Sequence, residues 1–183
     1  MAKIYVFLAD GCEEIEALTP VDLLRRAGHE VCTVSVMGRR QITGSHQIEI
    51  TADAKIEEVD GSGGDVYLLP GGMPGTRYLG ECGKLCSLLR EKNQKGCRIA
   101  AICAAPSVLG SLGLLQGKKA VCYPGFEEKL TGAQVLTVPV VTDGNITTAR
   151  GVGAAIDFAL ELVRLLDGEK AAGELAAQIV YNL

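Results

Sequence analysis

The chain has 183 residues, of which 48% are hydrophobic and 22% are charged, and its formal net charge is −4 at pH 7. This length suits one domain that buries roughly 70% of its unfolded surface, so we expect residues 1–183 to form a single domain. The negative charge provides no basic surface for nucleic acid or an anionic membrane. No run of about 20 apolar residues is free of Pro, Gly and charge, so no membrane span is predicted.

The N-terminal segment and the cysteines both indicate a reducing compartment. The stretch MAKIYVFLADGCEEIE has only about six consecutive apolar residues and no small-residue cleavage site, so it predicts a first strand and not a signal peptide. The seven cysteines are then typical of free thiols. We therefore expect a cytoplasmic protein.

A metal site is not predicted from the cysteines. Cys82 and Cys86 are four residues apart on a predicted helix, which is half of the spacing pattern of a metal site. The two histidines of the chain are His29 and His46, and no second cysteine pair has ligand spacing. We therefore expect neither a metal nor any other cofactor.

Short apolar runs alternate with helical patterns along the first half of the chain. Near-continuous apolar runs predict buried parallel strands at 3–9, 30–36, 65–70 and 98–103. Helical patterns lie at 13–29 and 84–96, and Gly28 and Gly96 provide their C-terminal stops. Residues 40–51 predict a small antiparallel excursion after the second strand.

The second half of the chain continues this alternation. A short strand is predicted at 120–124, and a hairpin at 135–149 has Asp143-Gly144 as its turn. Helical patterns at 153–168 and 169–183 close the chain. The alternation predicts an α/β fold with a doubly wound, mostly parallel sheet and helices on both faces. Ligands bind such sheets beyond the carboxyl ends of the strands, where three loops carry unusual residues.

The first of these loops is the corner at Cys103, in the stretch AAICAAP. Small residues lie two positions either side of the thiol, at Ala101 and Ala105, which is the spacing of a nucleophile elbow. Pro106 suits the first turn of a following helix, whose positive end is expected to lower the pKa of the thiol. The alternative is a buried cysteine that only packs as a small hydrophobe.

The second loop, ADGCEEIEALTP, contains three glutamates with different surroundings. Glu13 and Glu14 fall in the first helical turn, where carboxylates favour the helix dipole. Glu16 lies toward the predicted buried face, where burial raises the pKa of a carboxyl group. A protonated Glu16 would donate a hydrogen bond to a thiolate or move its proton. A glutamate that reaches solvent is the alternative.

The third loop, LLPGGMPG, places Gly71 and Gly72 directly after a strand. Such glycines allow backbone N–H groups to point into the cleft as an anion nest. With the N–H of Ala104, one of them would form an oxyanion hole for a tetrahedral intermediate. A plain Gly-Gly turn is the alternative. By contrast, RGVGAA at 150–155 mimics a dinucleotide fingerprint, but it follows a hairpin, and we interpret it as packing at the start of a helix.

Taken together, these loops resemble the ThiJ/PfpI family, in the branch that contains the parkinsonism-associated deglycase and its bacterial relatives. The matching stretches are GCEEIEALTPVDLLRRAGHEV, LLPGGMPG, AAICAAPSVLG and TARGVGAAIDFALELV, which span nearly the whole chain in the order of the family. The resemblance implies a flavodoxin-like sandwich that forms homodimers.

The resemblance also implies roles for individual residues. It places the reactive cysteine on Cys103 and its protonated carboxylate partner on Glu16. The backbone anion site falls on Gly72 and Ala104, beside Gly71. Two arginines match basic residues that the family keeps near the site or the dimer interface; they are Arg26 and Arg150.

One position departs from the pattern of many relatives. They have a histidine before a proline in the strand after the elbow, whereas this chain has Tyr123-Pro124. Tyr123 is placed to hydrogen-bond substrate, but a phenol with a pKa near 10 is a poor general base at neutral pH. Because a Cys-His protease or glutamine amidotransferase needs an imidazole beside the thiol, we expect neither activity.

Two functions of different classes follow from the same corner. The first is a cofactor-independent glyoxalase or deglycase, in which Cys103 adds to α-oxoaldehydes such as methylglyoxal and Glu16 moves a proton between adjacent carbons. The second is a redox sensor or chaperone that acts through oxidation of Cys103. A role in thiazole biosynthesis has no support in the residues, and the sequence does not assign a role to Cys12.

Overall fold

The computed structural model describes residues 1–181, and the last two residues of the predicted final helix lie outside them. The helices are α1 (Glu14–Arg26), α2 (Gly75–Glu81), α3 (Gly83–Gln94), α4 (Pro106–Ser111), α5 (Ala155–Asp167) and α6 (Glu169–Gln178). The strands are β1 (Lys3–Leu8), β2 (Glu30–Ser35), β3 (Gln41–Thr43), β4 (Glu49–Thr51), β5 (Ala54–Lys55), β6 (Val66–Leu69), β7 (Arg98–Ile102), β8 (Lys119–Ala120), β9 (Gln134–Val135), β10 (Val140–Asp143) and β11 (Ile146–Ala149).

The main sheet has the strand order β10-β11-β7-β6-β1-β2-β5 within the described residues. Its neighbouring strands are parallel except for the antiparallel β10–β11 hairpin. The two-residue turn of this hairpin is Gly144-Asn145, one position beyond the predicted Asp143-Gly144, because Asp143 still pairs with Ile146 as the last residue of β10. The predicted excursion is the antiparallel pair of β3 and β4. The fold is therefore the predicted flavodoxin-like α/β sandwich, with small antiparallel additions.

Two hydrophobic layers cover the sheet. On one face, α1, α5 and α6 pack around Leu24, Phe158 and Leu162, which are fully buried. On the other face, α2, α3 and α4 pack around Leu79 and Leu89. The apolar strands are buried from both sides, which explains why their sequences are near-continuously hydrophobic rather than alternating.

A few boundaries differ from the sequence prediction. The strand predicted at 120–124 is only Lys119–Ala120, because Tyr123 leaves the sheet to donate its N–H to the carbonyl of Cys103. Helix α2 was not predicted, since its seven residues are too few for a helical period to stand out. Among the helices of residues 1–181, none has the length and hydropathy that crossing a bilayer requires.

The topology brings the three loops of interest to one edge. β1, β6 and β7 are adjacent and parallel, so the loops after Leu8, Leu69 and Ile102 leave the sheet side by side. The chain order reverses between β1 and β6, and the cleft at such a switch point is where ligands bind.

Candidate active site

Cys103 occupies a strained corner between β7 and α4. Its φ of 66° lies in the left-handed region, which is uncommon for a residue with a side chain. Two backbone hydrogen bonds hold this conformation: the N–H of Cys103 donates to Ala149 at 2.9 Å, and its carbonyl accepts from Tyr123 at 2.8 Å. The thiol is half-buried, with Pro106 at the first position of α4. The strained turn expected from the sequence is therefore present.

Glu16 lies on α1 and is fully buried, not solvated. Its Oε2 accepts the N–H of Gly71 at 3.0 Å, and its carboxyl group hydrogen-bonds to the side chain of Cys103. Oε1 is buried and has no hydrogen-bond partner within the described residues. Burial raises the pKa of Glu16 to about 7, and the bonds from Cys103 and Gly71 only partly oppose it.

The expected lowering of the Cys103 pKa is wrong. Burial raises the pKa of Cys103 to about 12, and the charge of Glu16 and its hydrogen bond add to the increase. The helix dipole does not reverse this effect, because α4 has only six residues and a carboxylate lies beside the sulfur. The pair therefore loses its first proton near pH 7 and holds the second one strongly, so its two members titrate together.

The glycine loop and Ala104 face the same sulfur. Backbone N–H groups of Gly72 and Ala104 hydrogen-bond to Cys103 and lower its pKa against the larger effects above. Gly72 has a φ of 87°, and a side chain there would overlap the backbone of the 11–13 loop. A Cβ at Gly71 would lie 2.6 Å from both Cys103 Cβ and Glu16 Oε2. Both positions therefore require glycine, because a side chain would not allow the loop to lie this close to its neighbours.

A cleft of about 750 Å³ opens above the thiol. Cys103 and Glu16 lie in its lining with Tyr123, whose side chain is about half exposed. Arg150 also borders the cleft, and its Nη1 donates to the carbonyl of Thr137 at 3.2 Å. The cleft therefore combines a thiol, a buried carboxyl group, backbone donors and one cation.

Arg26 lies outside this cleft. Its Nε donates to Asp22 at 2.7 Å on the exposed side of α1. There it borders a groove that includes Ile15, Leu18 and Ile48. The structure thus separates Arg26 from Arg150, and the dimer interface that the family resemblance implies for such a residue stays a prediction.

Neither histidine reaches the cleft, and both lie within residues 1–181. His29 is buried, with Nε2 2.9 Å from Asp167. His46 places Nδ1 3.0 Å from Glu14 Oε2, and with Glu13 this is a group whose ligand atoms lie within 4.8 Å of one another. That spacing is compatible with a metal ion, but hydrogen bonds from the Ser45 hydroxyl to both carboxylates and between His46 and Glu14 already account for it. An imidazole beside Cys103 is thus missing, as the sequence indicated.

Sequence reasoning missed several lining residues. Gly151, Val152 and Asp157 border the cleft at the start of α5, in or just after the stretch that we interpreted only as helix-start packing. That interpretation is confirmed by the 3₁₀ turn Val152–Ala154, which leads into α5. Met73 and Phe126 were also missed. No local pattern marks these residues, because they meet only when separate loops converge.

Comparison with known proteins adds independent findings. A family model described as the DJ-1/PfpI family matches residues 2–165. The chain is 38% identical to Protein DJ-1 homolog B of Arabidopsis thaliana over 182 residues, which is 98% of this chain but only 42% of that protein. It is 33% identical to a deglycase of Pyrococcus abyssi over 167 residues, 90% of this chain and 99% of that protein.

Solved structures show the same likeness over the full length. The oxidized form of Toxoplasma gondii DJ-1 superimposes with a TM-score of 0.96 at 38% identity, and the match covers 100% of both chains. The similarity includes both layers of helices and the loops around Cys103, since no part of the chain is left out.

Proposed function

The chain belongs to the DJ-1/PfpI family, and from this premise we propose that it is a cofactor-independent enzyme that converts reactive α-oxoaldehydes such as methylglyoxal into 2-hydroxy acids. The observation that carries the proposal is the contact between the strained Cys103 thiol and the fully buried Glu16 carboxyl group. The Pyrococcus abyssi relative, which is named a deglycase, supports the same class of chemistry.

The first step forms a carbon–sulfur bond. Above about pH 7 the Glu16 carboxylate takes the thiol proton of Cys103 while the sulfur attacks the aldehyde carbon. The oxygen of the aldehyde becomes an oxyanion, which the N–H groups of Gly72 and Ala104 beside the sulfur stabilise. Glu16 then returns the proton to this oxygen, which leaves a neutral hemithioacetal.

The second step moves hydrogen between adjacent carbons. Glu16 removes the proton from the carbon bound to sulfur, which gives an enediolate, and it delivers that proton to the neighbouring carbon. The hydroxyl proton passes between the two oxygens, so the product is a thioester of a 2-hydroxy acid. Water then hydrolyses the thioester and restores the thiol. The sum is aldehyde plus water to 2-hydroxy acid, with no external oxidant or reductant.

The same steps would produce deglycation. An early adduct between an α-oxoaldehyde and an amine or thiol is in equilibrium with the free aldehyde. Removal of that aldehyde at Cys103 therefore reverses the adduct. This second use needs no residue beyond those of the proposed aldehyde reaction.

Production of 2-hydroxy acid from methylglyoxal, without glutathione or metal, tests the proposal. We expect turnover by the wild type and none by Cys103→Ala. Cys32→Ala is the matched control, because Cys32 is also half-buried but lies on β2, outside the cleft. Equal turnover by Cys103→Ala and wild type would assign the chemistry to another residue. Absence of turnover from the wild type would reject this substrate.

A redox sensor is the second candidate. The oxidized Toxoplasma gondii DJ-1 structure favours it, as does the carboxyl group beside Cys103. A peroxide would oxidise the thiol to sulfenic acid with loss of water, and a second peroxide would give sulfinic acid. In that case a protonated Glu16 would donate to the sulfinate. A sensor differs from the enzyme in showing oxidation of Cys103 without turnover of aldehyde.

A further inference from the structure

Large apolar side chains are exposed around the mouth of the cleft. Met73 and Tyr123 are each 51% exposed and Val152 is 42% exposed, and all three border the cleft. We call these three residues the apolar rim. Single exposed hydrophobic residues are ordinary, whereas a group of them around one concave site is typical of ligand binding.

The rim is assembled from distant parts of the chain. Met73 follows β6, Tyr123 follows β8, and Val152 begins the 3₁₀ turn before α5. The three side chains belong to neither core layer, although their neighbours Cys122 and Ala154 do. Their convergence over Cys103 therefore creates an apolar surface at the reacting atom.

Charged groups in the cleft already have partners in the protein. Arg150 donates to the carbonyl of Thr137, and Asp157 accepts from the hydroxyl group of Tyr181 at 2.8 Å. Glu13 accepts from Ser45 at 3.0 Å. Each of these groups therefore makes a hydrogen bond within the protein, whereas the side chains of the apolar rim are exposed.

The cleft is also larger than a three-carbon aldehyde. Methylglyoxal has five non-hydrogen atoms, which fill at most about 150 Å³ even at the volume of one liquid water per atom. The cleft measures about 750 Å³. That molecule therefore leaves most of the cleft volume empty.

We infer that the apolar rim binds the substituent on the carbon next to the aldehyde, so that the site favours α-oxoaldehydes with a large apolar group, such as arylglyoxals. This inference rests on the proposed function and names its substrate class. The substituent takes no part in the changes of bonding, which remain those described above. The rim would favour binding because its apolar surface and that of the substituent are buried against each other while the aldehyde lies at Cys103.

The test compares phenylglyoxal with methylglyoxal through the ratio of their kcat/KM values. Because this ratio is compared between variants, the difference in intrinsic reactivity between the two aldehydes cancels. Met73→Gln and Val152→Thr keep the size of the side chain and remove apolar surface. We expect each to lower the ratio about threefold to tenfold. Val138→Thr is the matched control, because Val138 is 44% exposed but does not border the cleft.

An unchanged ratio in both rim variants would overturn the inference while leaving the proposed function intact. Failure of the proposed function has a different signature, since the wild type would then turn over neither aldehyde. In that event, alkylation of Cys103 by iodoacetamide and by N-phenyl iodoacetamide, followed by peptide mass spectrometry, decides about the rim. A lower phenyl-to-parent rate ratio in the rim variants supports the inference, and equal ratios reject it.

Discussion

Glu14 and Glu16 are two residues apart on α1 and both are buried, yet their pKa values move in opposite directions. Burial alone raises the pKa of each. At Glu14, bonds from the imidazole and backbone N–H of His46 and from other backbone N–H groups outweigh burial and lower the pKa to about 2. At Glu16, the hydrogen bonds from Gly71 and Cys103 do not outweigh burial, and the pKa rises to about 7.

The number of donors therefore decides which carboxyl group can hold a proton. Glu14 receives the N–H of His46 at 2.7 Å and the hydroxyl of Ser45 at 3.2 Å, so it stays ionised and holds the β3–β4 excursion against α1. Glu16 has one buried oxygen, Oε1, without a hydrogen-bond partner within the described residues. Glu14 therefore contributes to stability, whereas the pKa of Glu16 suits proton transfer near neutral pH.

The largest expected effect separates the two carboxyl groups by activity. Glu16→Gln removes the proton acceptor, so aldehyde turnover should fall by about 10²–10⁴. Loss of the negative charge should also lower the pKa of Cys103, which the pH dependence of its alkylation would show. Glu14→Gln is the matched variant and should keep turnover within about threefold, measured where it remains folded. Comparable losses in both variants would contradict the distinct role of Glu16. A sensor would instead show only an altered oxidation profile.

A smaller effect is expected at the glycines that cover these groups. A Cβ at Gly71 lies 2.6 Å from Glu16 Oε2 and Cys103 Cβ, so Gly71→Ala should displace the pair and lower turnover about 100-fold. A Cβ at Gly44 would overlap the Glu14 carboxyl group instead. Gly44→Ala should therefore reduce the midpoint of urea unfolding while it largely preserves turnover. Loss of turnover in Gly44→Ala together with normal turnover in Gly71→Ala would contradict this assignment.

The smallest expected effect is on stability against pH, with opposite signs. The folded-state pKa of Glu14 is depressed, so its contribution to stability is present above about pH 4.5 and is lost as pH falls toward 2. The folded-state pKa of Glu16 is raised, so its protonated form favours the fold and stability declines as pH rises from about 4.5 to 7. Urea unfolding of each Gln variant against wild type should show changes of about 1–3 kcal/mol across these windows. Equal slopes for the two variants would refute the comparison.

Much of the fold was predictable because buried segments have a recognisable pattern of residues in the local sequence. The apolar runs of β1, β2, β6 and β7, the glycine stops and the hairpin turn at Gly144 are features that neighbouring residues specify. The corner at Cys103 was predictable for the same reason, since a strained turn demands small neighbours. Helix α2 and the short strand β5 have too few residues for such a pattern to be recognised.

Most of the chemistry of the site was not predictable in this way. The position of Glu16 on α1 indicated burial, but the direction of the Cys103 pKa was wrong, because it depends on a carboxyl group that is 87 residues away in sequence. Arg26 and Arg150 were equivalent in sequence, and only packing places one in the cleft and the other outside it.

By itself the sequence determined the α/β alternation and the resemblance to the family, and it singled out the corner at Cys103, because strand burial, turn chemistry and a motif of small residues are local properties. Only the tertiary structure decided the protonation of Cys103 and Glu16 and the shape of the cleft. Electrostatic shifts depend on burial and on distances between charges, and the apolar rim joins loops after β6, after β8 and before α5. Such contacts exist only once the sheet has brought those loops to one edge.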